Sequence, residues 1–178
     1  GDFSRIIRKG NSPADYTWEV TDKQGIKYIY GGEGAVLKGT ITDASGQSRE
    51  VITEWKLKRV EETHGDYIEY VYETADEPVR GGLVAKAIYL KEVRAGNSGQ
   101  APHTVVVLEG SKQKRLKNNN ARYGFLTSSN RLLEKLTVHF QGSTLRSYAF
   151  TYSEGAFNKD VLTGVKQLDD KGAEVSYQ

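Results

Sequence analysis

The sequence predicts an all-β protein, an antiparallel meander of twisted β-hairpins with little or no helix. Apolar and polar residues alternate with a period of two along many segments, whereas helical spacing is nearly absent. Clusters of Gly, Asp, Asn and Ser interrupt these segments at short intervals, as turns do between strands. Roughly ten to twelve strands are expected from this punctuation, most of them joined as sequential hairpins.

The N-terminal third of the chain predicts five of these strands. The longest is VITEWKLKRV at residues 51–60, in which Trp55 and Leu57 fall on one face and charged residues on the other. This alternation is typical of one continuous, half-buried strand. The four shorter strands are expected at residues 3–7, 16–20, 26–30 and 36–41.

The rest of the chain predicts six further strands and one tight hairpin. Gln141-Gly142-Ser143 is expected to form the hairpin turn, because glycine supplies the positive φ that short turns require. The strand after this turn places Tyr148 and Phe150 on one apolar face. The six strands are expected at residues 67–72, 84–93, 104–108, 132–140, 144–152 and 161–168.

The segment before the hairpin turn carries two alternatives. Residues 128–136 could begin a helix at Ser129 or Asn130, but the β-branched and aromatic residues that follow favour a strand. In that strand Leu136 and Val138 share the apolar face, and His139 is expected to point to solvent. The predicted core of the protein comprises Trp18, Trp55, Leu57, Leu136, Val138, Tyr148 and Phe150.

A turn followed by tyrosines recurs along the chain. DKQGIKYIYGGEG at residues 22–34 is followed by THGDYIEYVYE at 63–73 and, in part, by DDKGAEVSYQ at the C-terminus. Glycine permits a positive φ in such a turn, and tyrosine packs its ring while its hydroxyl reaches water or a neighbouring strand. The predicted structural repeat consists of Asp22, Gly25, Tyr28, Tyr30, Gly65, Tyr70, Tyr72, Gly172 and Tyr177.

Three segments are expected to be loops. Residues 73–82 and 94–103 are rich in turn-forming residues, and residues 110–124 carry the one local run of positive charge. The basic run could contact nucleic acid phosphates, but few aromatic residues accompany it and the net charge of the chain is only +2. We therefore interpret residues 112–122 as a solvated loop and predict no nucleic acid partner.

The composition limits the number of domains and the kinds of protein and metal site that are possible. The chain has 178 residues, no cysteine and no methionine, and it begins with glycine, which suggests one β-rich domain, residues 1–178, excised from a longer polypeptide. No apolar run approaches the roughly 18 residues of a membrane span, and no export signal is visible within the fragment. Disulfides and thiolate metal sites are excluded by the absence of cysteine.

Candidate catalytic residues are sparse. His64, His103 and His139 lie far apart in sequence, without the short spacing of a zinc motif, and are expected in turns or on the surface. Acidic clusters at residues 61–66 and 169–170 are more typical of turns than of a glycosidase pair. Neither a nucleophile elbow nor a phosphate loop is present. The sequence therefore predicts no enzyme, no cofactor and no metal site.

The repeat resembles a known family. Asp22, Gly25 and Tyr30 match the D-x-x-G-x-x-x-x-Y unit of Rhs and YD-repeat proteins. The wider succession, from WEVTDKQGIKYIYG at residues 18–31 through NRLLEKLTVHFQGSTLRSYAFTYSEG at 130–155 to VLTGVKQLDDKG at 161–172, resembles the N-terminal region of the Salmonella virulence plasmid B protein. It is similar also to the B component of insecticidal Tc toxin complexes.

This resemblance implies a structural scaffold. In those toxins, ribbons of β-strands form a hollow shell around a toxic C-terminal segment, so the chain is expected to be one section of the wall of a secreted or surface-delivered protein. The partners implied are the rest of its own polypeptide and other toxin-complex subunits. The ADP-ribosyltransferase of the virulence protein lies in a separate region and is not transferred. The alternative is a cell-surface β-module that binds glycan or protein through exposed tyrosines.

Overall fold

The computed structural model describes residues 4–175 and contains fourteen strands in that range. The strands are β1 (Arg5–Lys9), β2 (Thr17–Thr21), β3 (Lys27–Tyr30), β4 (Val36–Thr42), β5 (Ser48–Trp55), β6 (Leu57–Glu61), β7 (Asp66–Pro78), β8 (Val84–Asn97), β9 (Thr104–Glu109), β10 (Asn119–Asn120), β11 (Thr127–Ser128), β12 (Lys135–Phe140), β13 (Ser143–Glu154) and β14 (Asp160–Leu168). The prediction of an all-β fold is confirmed.

A single large sheet dominates the fold. Its strand order is β1-β2-β3-β6-β7-β8-β9-β12-β13-β14, and every neighbouring pair along this path is antiparallel. The order departs from sequential hairpins at two points: after β3 the chain forms a separate sheet, and after β9 it forms two short strands of the same sheet that lie off this path. The short strand β11 pairs in parallel with β8 at Thr127 and Lys86, and β10 pairs with β11.

The prediction of one continuous strand over residues 51–60 is wrong, because this segment is divided between β5 and β6, which belong to different sheets. Strands β4 and β5 form a separate two-stranded sheet, and the chain returns to the main sheet only at β6. Lys56 lies between β5 and β6; its N–H donates to the carbonyl of Ala35 at 2.8 Å and its carbonyl accepts from the N–H of Gly31 at 2.9 Å. These two bonds hold the ends of the hairpin together and end the first strand at Trp55.

Strand extends into two of the predicted loops: it covers residues 73–78 of the first and 94–97 of the second. Strand β7 continues to Pro78 and β8 to Asn97, so the hairpin between β7 and β8 turns within five residues and residues 94–97 remain paired. Polar residues in these segments suggested loops, but each pairs with a long partner strand. The tight turn predicted between β12 and β13 is confirmed, with positive φ at Gln141 (47°) and Gly142 (82°), the signature of a type I′ hairpin.

The strand predicted over residues 132–140 begins only at Lys135, and residues 129–134 are irregular apart from an isolated bridge between Arg131 and Gln113. The helix that was the alternative does not form there. The single helical element in residues 4–175 is a three-residue 3₁₀ turn, Ala156–Asn158. No helix in this range is long and apolar enough to cross a membrane. The faces of β12 differ from expectation: Thr137 is buried and His139 half-buried, whereas Phe140 at the end of the strand is 42% exposed. Both faces of β12 are therefore partly covered.

The deepest apolar packing lies where the β4–β5 hairpin meets β8. Ala85 and Ala87 of β8 are 0% and 1% exposed, and Leu37 of β4 is 3% exposed. Small side chains on β8 let the backbone of the hairpin approach closely, which close packing requires. The seven residues predicted as the core are instead half-buried: Trp18, Trp55, Leu57, Leu136, Val138, Tyr148 and Phe150.

Candidate functional site

The Asp-Gly turn at residues 22–25 has a specific hydrogen-bond pattern. One carboxylate oxygen of Asp22 accepts from the N–H groups of Gln24 (2.9 Å) and Ile26 (3.0 Å). The N–H of Gly25 donates to the carbonyl of Asp22 at 3.1 Å, and Gly25 has a φ of 84°. The aspartate side chain accepts hydrogen bonds from backbone N–H groups that the turn leaves without a carbonyl partner, and glycine adopts the left-handed conformation.

The same turn recurs at residues 43–46 and 169–172. Asp43 accepts from the N–H groups of Ser45 and Gln47 at 2.9 and 3.0 Å, and Asp169 accepts from Lys171 and Ala173 at 2.9 and 2.8 Å. Each turn ends in a glycine with a φ of 85°, Gly172 in the latter case. The hydroxyl of Ser45 and the N–H of Gln47 hold the pKa of Asp43 below its ordinary value.

The turn that ends at Gly65 uses the same backbone path without aspartate. The N–H of Gly65 donates to the carbonyl of Glu62 at 3.1 Å, and Gly65 has a φ of 95°. The third unit of the sequence repeat reaches Tyr177, which lies outside the described residues. The turn at residues 43–46 has the same backbone path but no tyrosine near it in the sequence. The feature common to these turns is therefore the turn itself and not a tyrosine that follows it.

The repeat tyrosines serve strand packing. Tyr30 lies opposite Trp18 in the β2–β3 ladder, and Tyr70 lies opposite Val93 in the β7–β8 ladder. The Tyr72 hydroxyl donates to the carbonyl of Leu57 at 2.8 Å, and burial raises the pKa of this phenol. Such hydroxyls bind carbonyl groups that the neighbouring strand leaves free, which stabilises the junction between β6 and β7.

Other tyrosine hydroxyls are similarly occupied. The hydroxyl of Tyr28 donates to the carboxylate of Asp22 at 3.3 Å, which links the first strand of the repeat to its own turn. The hydroxyl of Tyr152 donates to the carbonyl of Leu133 at 2.7 Å. These side chains are half-buried. Their polar ends are therefore engaged within the protein, at positions where a glycan-binding surface would need them free.

The two tryptophans meet at the base of the β4–β5 hairpin. Their rings are 6.2 Å apart and nearly perpendicular, at 88°. The indole N–H of Trp55 donates to the carbonyl of Tyr16 at 2.6 Å. A Cβ on Gly31 would lie 2.5 Å from the Trp55 ring, so only glycine fits beside it. This contact joins the hairpin to β2.

The basic segment, residues 110–124, is held by its own protein. The N–H of Arg115 donates to Asp160 at 2.8 Å, and its guanidinium forms an ion pair with the same carboxylate. The ammonium of Lys114 donates to the carbonyl of Ser129 at 2.8 Å, and that of Lys117 donates to the side chain of Gln113. Much of the positive charge is thus engaged internally, which disfavours the phosphate-binding alternative.

A carboxylate closes the start of this segment. Glu134 accepts from the N–H groups of Ser111 and Lys112 at 2.8 and 2.9 Å and from the Ser111 hydroxyl at 3.0 Å. These hydrogen bonds, led by the backbone N–H of Ser111, hold the pKa of Glu134 below its ordinary value. The Glu134 carboxylate therefore holds residues 111–112 beside the start of β12.

A partly buried polar cluster forms around Arg131. Arg131 donates to Glu77 at 2.8 Å and to Glu73 at 2.7 Å, and its guanidinium lies 4.6 Å from the centre of the Tyr89 ring. The side chain of Glu77 is only 5% exposed and also accepts from Gln113 at 3.0 Å. No sequence signal reveals this cluster, because Arg131 lies more than fifty residues from Glu73 and Glu77 in the chain.

Asn130 completes the cluster. It is 2% exposed, and its side chain accepts from the N–H of Asn118 at 2.6 Å and donates to Asn119 at 2.9 Å. Its own N–H donates to the hydroxyl of Tyr89 at 3.2 Å. A buried amide with these partners fixes the path of residues 118–131 across β8. The cluster therefore positions the loop at residues 118–131, and each of its charged side chains is paired.

The residues considered for catalysis do not converge. His64 and His103 are exposed and contact the hydroxyls of their sequence neighbours Thr63 and Thr104. His139 lies on β12 with its ring 3.3 Å from the Thr144 hydroxyl. Within residues 4–175 no group of three or more His, Asp or Glu side chains is arranged to hold a metal ion.

Comparison with known proteins places this architecture. No family model matches the chain, and no curated protein matches it significantly. Among solved structures, the N-terminal domain of effector protein SpvB from Salmonella typhimurium strain LT2 matches with a TM-score of 0.68 at 16% identity. The match covers 95% of this chain and 66% of that one. The predicted resemblance is confirmed at the level of the fold.

Two toxin-complex structures share this fold. The TcdB2-TccC3 crystal structure matches with a TM-score of 0.68 at 15% identity, over 98% of this chain and 11% of that one. The Tc holotoxin pore of Photorhabdus luminescens matches with a TM-score of 0.67 at 17% identity, over 97% and 10%. This chain thus spans about a tenth of each toxin component. At these identities the likeness concerns the fold alone.

Proposed function

We propose that this chain is a non-catalytic section of a β-shell that encloses the C-terminal effector of a toxin-like protein. Such a protein would be secreted or delivered to a cell surface. The chain would act as one part of a longer polypeptide, in contact with the rest of that polypeptide and with other toxin-complex subunits. Its fold, shared with SpvB and with Tc toxin components, supports this assignment.

The observation that carries the proposal is the state of the sheet edges. Within residues 4–175, β1 pairs only with β2. Strand β14 pairs with β13 and, at its C-terminal end, with residues 174–175, which fold back on Gln167 and Leu168; the outer edge of residues 160–166 has no strand partner in that range. Successive side chains of a strand point to opposite faces, and β14 exposes adjacent aliphatic residues, Val161 (47%) and Leu162 (49%), as well as Val165 (54%). An open, apolar edge promotes aggregation unless another strand covers it. Further strands of the parent polypeptide would cover it.

Hydrogen exchange tests this proposal. The outward-facing amides of β14 residues 160–166 are compared between the isolated chain and the full-length parent protein. We expect protection at least tenfold greater in the parent, because new strand pairing slows exchange. Residues 92–95 of β8, which pair with β7 and β9 in the isolated chain, provide the control and should change little. Equal exchange of β14 in both proteins would contradict a continuing wall.

The competing surface-module function has its own test. Glycan-array binding by the isolated chain is measured before and after Tyr28→Ala, with circular dichroism to monitor folding. We expect no specific glycan binding, because the tyrosine hydroxyls described above bond within the protein. Binding that is lost on Tyr28→Ala in a folded protein would favour the module over the shell section.

A further inference from the structure

A groove of about 700 Å³ separates the β4–β5 hairpin from the end of the β7–β8 ribbon. The loops at residues 14–16 and 32–34 close its other side. Its volume lies within the range of clefts that bind drug-sized ligands, roughly 300–1,000 Å³.

The groove runs beside strand edges. It is lined by five consecutive residues of β4, 36–40, and by three consecutive residues of β7, 74–76. Successive side chains of a strand point to opposite faces, so a cavity on one face would touch every second residue. At β4 and β7 the cavity touches consecutive residues and therefore reaches backbone groups as well as side chains; it also touches Lys86 and Ala87 of the interior strand β8. Strand pairing decides which of these strands presents a free edge.

Both of these edges lack a strand partner within residues 4–175. Strand β4 pairs with β5 alone. Strand β7 pairs with β6 only through residues 67–69, so the outer edge of residues 70–78 is unpaired although its inner edge pairs with β8 throughout. The unpaired part of β7 spans nine residues, about 30 Å at the usual rise of a strand. This length can accept another extended segment.

The walls of the groove are acidic. Four carboxylates and two ammonium groups line it, a formal charge of 2 − 4 = −2: Asp15, Glu33, Glu50, Asp76, Lys38 and Lys86. Both ammonium groups are already paired, Lys38 with Glu50 at 2.9 Å and Lys86 with Asp76 at 2.7 Å. Hydrogen bonds from the N–H groups of residues 11 and 12 hold the pKa of Asp15 low. The excess negative charge of the lining therefore rests on Asp15, which accepts hydrogen bonds within its own turn, and on Glu33, whose carbonyl accepts from the ammonium of Lys58 at 3.2 Å.

We propose that this groove binds an extended, basic segment of another polypeptide, which adds as a strand to the free edge of β7. Main-chain hydrogen bonds to residues 70–78 would supply affinity, as in other cases of strand addition. The small side chain of the half-buried Ala75 leaves room for side chains of the incoming segment. The exposed carboxylate of Glu33 would select lysine or arginine. The site does not depend on the proposed shell role.

The test uses a defined peptide. An acetylated and amidated octapeptide of alternating lysine and valine, labelled with a fluorophore, is titrated with the protein and followed by fluorescence anisotropy. We expect saturable binding, and at least tenfold weaker binding for the same peptide with methyl groups on alternate backbone nitrogens, because these remove the donors that pair with a strand. An analogue with glutamate in place of lysine is also expected to bind at least tenfold more weakly.

Paired protein variants locate the site. Thr40→Trp places a large ring in the groove, whereas Thr42→Trp, two residues along the same exposed face, lies beyond the groove lining. We expect at least tenfold weaker binding for Thr40→Trp and less than a twofold change for Thr42→Trp. Glu33→Gln removes one exposed carboxylate and should weaken binding about two- to fivefold, the range of an exposed charge pair. Glu62→Gln is its control on the opposite turn.

Specific results would overturn this proposal. Absence of saturable binding at millimolar protein, equal binding of the methylated peptide, or equal binding of the glutamate analogue would each do so. So would binding to Thr40→Trp as tight as to the unchanged protein. Glu33→Gln keeps the test decisive if Thr40→Trp fails to fold, because an unchanged affinity in that exposed variant also contradicts charge selection.

Discussion

Replacing Trp55 with alanine removes the side chain that joins the β4–β5 hairpin to the main sheet. The indole lies edge to face with Trp18, contacts Gly31 and donates to the carbonyl of Tyr16. All of these partners come from the segment before the hairpin, whereas Trp55 ends it. The substitution therefore tests how much this contact contributes to docking of the hairpin, in addition to the packing of Leu37 against β8.

The expected loss of unfolding free energy is about 3 kcal/mol. A fully buried Trp or Phe replaced by alanine costs about 3–5 kcal/mol, and Trp55 is half-buried, which reduces this contribution. The edge-to-face pair adds about 0.5–1.5 kcal/mol beyond area. The lost hydrogen bond from the indole to Tyr16 adds about 0.5–1.5 kcal/mol.

Urea denaturation monitored by circular dichroism measures this loss. His64→Ala, at an exposed turn, is the control and should cost less than roughly 1 kcal/mol. Trp55→Phe retains a ring but removes the donor, so it should cost about 1 kcal/mol and separate the hydrogen bond from the packing. Equal midpoints for Trp55→Ala and His64→Ala would refute the docking contact.

Three further predictions concern the turn, the buried cluster and acid stability. Gly25→Ala should cost more than 1 kcal/mol by urea denaturation, because alanine is strained at a φ of 84° and its Cβ would lie 2.8 Å from Thr63. Arg131→Ala should cost about 3–5 kcal/mol in the same assay, because it leaves the carboxylate of Glu77 buried without its cation. The lowered pKa of Glu134 stabilises the folded protein above the ordinary value of 4.5, and this contribution should disappear as pH falls below that value. Urea midpoints measured from pH 6 to pH 3 should therefore fall less steeply for Glu134→Gln.

Matched variants make these outcomes decisive. Gly34→Ala carries the same strain, at a φ of 77°, but meets no atom within 4 Å, so it should cost less than Gly25→Ala. Arg146→Ala removes an exposed arginine and should cost less than roughly 0.5 kcal/mol. Glu62→Gln should leave the pH dependence unchanged. If any control matched its test variant, the corresponding contact would lose its assigned role.

Local signals explain which elements the sequence could predict. Gln141 and Gly142 are adjacent, and a two-residue turn needs only their positive φ values, so the β12–β13 hairpin was readable directly. The Asp-Gly turns likewise place aspartate and glycine three residues apart, within reach of the backbone groups they bind. Such interactions are formed by near neighbours in the chain. Their residue types are therefore visible in the sequence.

The break at Lys56 shows where this reasoning fails. Alternation continues without interruption through residues 51–60, and nothing local ends the strand. The chain changes sheets there because the N–H and C=O of Lys56 bond to Ala35 and Gly31, more than twenty residues earlier. Period-two alternation predicts that a segment is extended, but it does not indicate which strand pairs with that segment.

By itself, the sequence determined the all-β class, most strands and the positions of the tight turns, because period-two patterning and turn chemistry act over a few residues. Only the tertiary structure decided which faces are covered. It buried Thr137, left Phe140 exposed, joined Arg131 to Glu77 and opened a groove beside β7. Burial and ion pairing depend on segments brought together across the whole chain, and one strand with the same alternation can face solvent, a hairpin or another sheet.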